Sequence, residues 1–125
     1  MQRELSNESG AMQTATASAS GRESGLDQLA QFFSDVMPLR IPVQVTALLK
    51  GGRILREGAV IEFGTASEVL FASALPLEFE DRVRLENSDG SFDAEASVVA
   101  VRYHEGRRAV AARFSTKVAN WIIQR

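Results

Sequence analysis

From Ile41 to Phe114 the chain is cut into short apolar runs, most alternating with polar residues, by clusters of Gly, Asn, Asp, Ser and Pro. This spacing constrains the fold more than any other feature of the 125 residues. A period of two buries one face of a strand, and breaks this close together leave no room for helical crossovers. Antiparallel strands joined by hairpins are what remains. Closing them into a barrel removes the exposed edges that an open sheet of this size would carry.

The first expected strand runs from Ile41 to Lys50, with Val43, Val45, Ala47 and Leu49 on one face and Gln44, Thr46 and Lys50 on the other. Pro42 sits near its start, where a missing donor is tolerated. Gly51-Gly52 supplies positive φ at both central positions of a tight hairpin. Ile54 to Phe63 returns with Leu55, Ala59, Ile61 and Phe63 in phase, and Gly58 is read as a bulge. Val69 to Ser73 lacks alternation, which implies a third strand covered on both faces. Leu75-Pro76-Leu77 turns a corner into a fourth strand, Arg82 to Glu86. A long fifth strand starts at Phe92 and slips phase at Val98-Val99, where a bulge or a sharp coil is expected. After a turn over 104–107, Val110, Ala112 and Phe114 place one face of a sixth strand inward.

The two ends read differently. Residues 1–24 are rich in Ser, Ala, Thr, Gln and Gly without either period, so a disordered tail is expected. Ser24 and Asp27 match a capping box, and Leu26, Leu29, Phe33, Val36 and Met37 recur at helical spacing. An amphipathic unit over 25–37 follows, its helix running from Gly25 to Val36 and ended by Pro38. Ser115 or Thr116 can cap a last short helix carrying Val118, Trp121 and Ile122 on one side, with Trp121 as a lid on the core. The expected fold is thus mainly β: a six-stranded antiparallel barrel, residues 38–125, with a helix at each end.

Composition narrows the chemistry. There is no cysteine, which removes disulfides, thiolate nucleophiles and cysteine zinc sites and fits a reducing cytoplasm. A metal would need several carboxylates around the single histidine, His104, so none is expected. The longest apolar runs fall far below the ~18 to 20 residues that span a bilayer, and MQRELSNESG lacks the apolar core of a signal peptide. No nucleophile elbow, P-loop or dinucleotide glycine pattern appears, so no enzyme and no cofactor are expected. The formal charge of −2 disfavours a protein that coats nucleic acid. Acidic residues crowd the centre, whereas Arg102, Arg107, Arg108, Arg113, Lys117 and Arg125 face only Glu105 near the end.

With the strands laid out, residues from about Leu39 to Phe114 resemble the PilZ domain family. The likeness rests on LRIPVQV opening the barrel, on VIEFGTASEVLFAS followed by ALPLEFEDRVRL, and on ASVVAVRYHEGRRAVAARF closing it. The family pattern in the central part is a break, a short apolar strand, then a Pro-Leu corner and a Gly-Asp pair before an alternating strand. The resemblance implies a split-barrel type of six-stranded β-barrel and a role in cyclic di-GMP signalling. Family members bind that dinucleotide through an RxxxR motif ahead of the first strand and a D/N-x-S-x-x-G motif after the second. Arg40 matches the second arginine, while Val36 stands at the first. Gly64, Ala66 and Val69 occupy the acid, serine and glycine positions. Each lost charge-assisted contact is worth about 1.5–3 kcal/mol, so the departures imply cyclic di-GMP binding that is weak or lost.

The resemblance therefore implies a bacterial, non-enzymatic signalling module acting through protein partners, with Arg40 the one residue carried over to nucleotide binding. A small barrel binding single-stranded nucleic acid is the alternative, motivated by the basic end and Tyr103. A homodimer formed through the first helix and Phe33 is a third.

Overall fold

Val43, Val45, Ala47 and Leu49 are all buried, while Gln44, Leu48 and Lys50 face solvent, so the period of two in this segment is that of a strand. The computed structural model describes residues 23–118 and 121–123. Six strands are present: β1 (Met37–Leu48), β2 (Ile54–Gly64), β3 (Glu68–Ser73), β4 (Arg82–Glu86), β5 (Asp93–His104) and β6 (Arg107–Phe114). All neighbours are antiparallel, and the order β1-β2-β3-β6-β5-β4 closes through pairing of β4 with β1. The expected closed barrel of six antiparallel strands is the observed architecture.

The interior is filled by alternate side chains from every strand. Phe71, Ile61, Leu85, Val45, Val69 and Val110 have no solvent exposure, and Leu77 from the corner after β3 joins them. A second apolar cluster lies on the outside, where Leu26, Leu29 and Ala30 pack on Leu70, Ala109 and Ala111. This explains why β3 does not alternate: Val69 and Phe71 face the barrel interior, while Leu70 faces the outer cluster. Alanines at 109 and 111 let the covering segment approach the sheet closely.

That covering segment is shorter than the helix expected over Gly25–Val36. A π-helical turn, Glu23–Asp27, runs into a single α-helical turn, Gln28–Ala30, and i to i−3 hydrogen bonds carry turn structure only as far as Phe33. Asp35 at φ 59° then redirects the backbone. The strand wins because Met37 and Pro38 pair with Gly64 and Phe63, starting β1 four residues before Ile41. Pro38 and Pro42 are accommodated since β4 pairs with β1 only from Gln44 onward. The expected tail over 1–24 lies outside the described residues except for Glu23 and Ser24, which belong to the first turn.

Two further expectations are corrected. Gly58 is not a bulge: it pairs in register with Gln44, and the irregularities of β1 and β2 fall between Pro38 and Ile41 and between Ile61 and Phe63. The latter shift turns Phe63 out of the barrel into the outer cluster. Among the described residues no helix follows Phe114; Ser115–Val118 and Trp121–Ile123 form an irregular strap. Ser115 N–H donates to the Glu95 carbonyl at 2.8 Å. Seating Trp121 against Phe92 and Phe114 outweighs the weak helix propensity of a segment this short.

The bulge expected at Val98-Val99 is present between Val98 and Ala100, and its cause lies in the preceding loop. Val98 N–H donates to the Asp81 carbonyl at 2.9 Å and the Val98 carbonyl accepts Glu80 N–H at 2.8 Å. Asp81, itself buried, holds that turn by accepting Glu78 N–H at 2.8 Å. Glu80 sits in the left-handed region at φ 75°, a conformation that favours glycine. On the outer face of β4 and β5, Arg84 grips Asp93 through Nε at 2.9 Å and a terminal nitrogen at 2.6 Å. That hydrogen-bonded guanidinium holds the Asp93 carboxyl below the usual aspartate range.

Candidate functional site

The turn between β2 and β3, residues 64–68, is shaped by Thr65. Its Oγ1 accepts the N–H of Ser67 at 3.2 Å and of Glu68 at 2.9 Å and donates to the Glu68 carboxylate, the local pattern by which a threonine closes a turn. Glu68 in turn receives Arg113, whose Nε and terminal nitrogen both lie 3.0 Å from Oε2. The partnership is set by register, since Glu68 and Arg113 face each other across β3 and β6. The Thr65 carbonyl accepts the indole N–H of Trp121 at 2.7 Å. The Thr65 hydroxyl, the Thr65 carbonyl and the Glu68 carboxylate thus all have partners from this chain.

Space at the turn is equally taken. A Cβ added to Gly64 would lie 2.8 Å from Leu39 Cδ1, 2.9 Å from Trp121 Cζ2 and 3.3 Å from Ile123 Cδ1, so no side chain larger than hydrogen fits without displacing its neighbours. Trp121, expected as a lid, does cover this end of the core, with ring centroids 5.3 Å from Phe92 and 5.1 Å from Phe114. Beside it runs a groove of about 380 Å³ lined by Ala66, Ser67, Lys117 and Trp121 among others.

The sequence-derived positions distribute unevenly over this geometry. Arg40 falls in the irregular stretch of β1, next to the Leu39 that packs on Gly64, and its exposed side chain has no hydrogen bond or ion pair among the described residues. Gly64 and Ala66 are at the turn, but Val69 is fully buried in the barrel interior and cannot approach a ligand. Phe33 packs against the outer cluster of its own barrel, while its neighbour Phe32 is 75% exposed. Tyr103 is exposed, with the Arg108 guanidinium 4.6 Å from its ring centre.

Sequence reasoning missed the Thr65, Glu68, Arg113 and Trp121 network. The Thr-x-x-Glu spacing was a usable signal for the first pair; the Arg113 and Trp121 contacts depend on strand pairing and chain reversal. Among the described residues no group of three His, Asp or Glu side chains is placed to hold a metal ion, and no helix is long and apolar enough to cross a membrane. Compared with known proteins, the chain matches no family model, no curated protein and no solved structure.

Proposed function

We propose that this protein is a PilZ-type, non-enzymatic regulatory module of cyclic di-GMP signalling that works through protein partners and has given up the usual nucleotide geometry. The observation carrying this reading is the filled turn after β2. Where the family motif calls for an acid, a serine and a glycine, this chain has a Gly64 packed under Trp121, an Ala66 and a buried Val69. Arg113, the cation paired across from that turn, is held by Glu68. A dinucleotide with two phosphates needs several charge-assisted contacts at once, and among the positions matched to the family's two motifs only Arg40 carries a cation.

The family likeness has independent physical support at Glu80-Asp81. The pattern's glycine position is occupied by Glu80 in the left-handed conformation that glycine favours, and the pattern's acid is the buried Asp81 that caps the turn. The single-stranded nucleic acid reading draws on Tyr103 stacked with Arg108, yet a single ring beside that cation is a short platform and the net charge is −2.

Calorimetric titration with cyclic di-GMP tests the proposal. No heat of binding is expected at micromolar concentrations. Micromolar or tighter binding that disappears with Arg40→Ala would show that the rim still works as a nucleotide site.

A further inference from the structure

The barrel closes, but β2 runs past the end of β3 toward its hairpin. Its ladder with β3 involves only Ile61, Phe63 and Gly64, whereas its ladder with β1 runs the full length from Ile54. The hairpin bond from Leu49 N–H to the Arg53 carbonyl, at 2.8 Å, fixes the alternation that follows. Leu55 and Glu57 exchange bonds with β1, while Ile54, Arg56 and Gly58 direct their N–H and C=O groups the other way. Among the described residues no strand lies on that side. Glu57, on the inner parity, plugs the margin by accepting the Ser73 hydroxyl at 2.6 Å and Ala74 N–H at 2.8 Å, but it pairs no backbone of β2.

The surroundings of this edge are cationic and apolar. Lys50, Arg53 and Arg56 are exposed, and their side chains have no hydrogen bond or ion pair among the described residues. Leu48 and Ile54 face each other across the hairpin, 47% and 60% exposed. Half-buried Leu55 and Ala59 line the inner parity of the same edge. Gly58 presents open space where a side chain would be, leaving room for another backbone to approach.

We infer that the open edge of β2 from Ile54 to Gly58 is a docking site for an extended segment of a partner protein in which acidic and apolar residues alternate. The segment adds to the sheet as a further strand, its main chain bonding Ile54, Arg56 and Gly58. Its acidic side chains lie on the parity of Arg56, near Arg53, and its apolar ones lie beside Leu55 and Ala59. Charge complementarity selects this occupant, since a basic or neutral strand leaves the three cations Lys50, Arg53 and Arg56 unanswered. The inference rests on the reading that the module acts through protein partners, and names the surface and the partner's chemistry.

The test uses the full chain and two ten-residue peptides, one repeating Val-Glu and one repeating Val-Lys. In the free protein, amide exchange at Ile54, Arg56 and Gly58 is expected to be fast. The Val-Glu peptide should slow it at least tenfold, with binding that weakens as salt rises, and the Val-Lys peptide should leave it unchanged. Gly58→Pro removes an edge donor without touching the β1 ladder and should weaken binding at least tenfold, as should Arg56→Glu, with the fold of both checked by circular dichroism. Slow exchange in the free chain would mean that another part of this chain, or a second copy, already occupies the edge, and would overturn the inference. So would the absence of Val-Glu binding, which would leave the cations as a shield against edge pairing, or equal binding of both peptides. These results are separable from cyclic di-GMP titration, which bears on the module reading alone.

Discussion

Trp121→Ala is expected to lower the free energy of unfolding by about 3–5 kcal/mol, the range for truncating a large buried aromatic. The indole is buried between Phe92 and Phe114 and bonds the carbonyl of the equally buried Thr65. Removing it empties the mouth of the barrel, leaves that carbonyl without its donor, and cuts a hydrogen bond that ties the strap after Phe114 to the β2–β3 turn. Urea unfolding followed by far-ultraviolet circular dichroism measures the effect as a lower midpoint at unchanged slope. A loss below about 1 kcal/mol, within the range of an ordinary surface change, would mean that the strap is not part of the core.

Gly64→Asp restores the acid that the resembled family carries at this position, and it is expected to destabilise the protein without creating a nucleotide site. The new Cβ would sit 2.8 Å from Leu39 Cδ1 and 2.9 Å from the rigid ring of Trp121, and overpacking of this kind costs about 1–3 kcal/mol. Because Trp121 is the one tryptophan, its fluorescence reports the displacement directly: the emission should shift to the red. The control is Gly58→Ala, where the added Cβ meets open space and stability should hardly change. A Gly64→Asp variant of unaltered stability and emission, binding cyclic di-GMP, would reverse the assignment of this turn as a plugged one.

The strands were legible in the sequence because their signal is local. Alternation at Val43 to Leu49 and at Arg82 to Glu86, glycines at 51–52 and 106, and the phase slip at Val98 are each properties of a few neighbouring residues, and each is found in place. Both helix expectations failed for one shared reason. Leu26, Leu29, Phe33 and Val36 in the first pattern, and Val118 and Trp121 in the second, are apolar because they pack on the barrel, and among the described residues that packing prevailed over a weak helical preference. Gly58 was read as a bulge from composition, whereas its meaning is positional: it lies on a strand edge that only the closure of β3 onto the far end of β2 leaves open. The rim was half legible. That the resembled family's motif residues do not occur here is plain in the chain, but what fills the rim is not, because Leu39, Gly64, Thr65, Arg113 and Trp121 meet only in the folded barrel.

The proton on Trp121 Nε1 gives the most direct test of whether the rim is closed by the protein itself. In a nuclear Overhauser spectrum of the free protein it should exchange slowly with water and show cross-peaks to Thr65, with the ring protons reaching Gly64 and the Leu39 methyls. Addition of cyclic di-GMP should leave the pattern unchanged. A rapidly exchanging indole proton lacking those contacts, or one whose contacts are lost when the dinucleotide is added, would contradict the account.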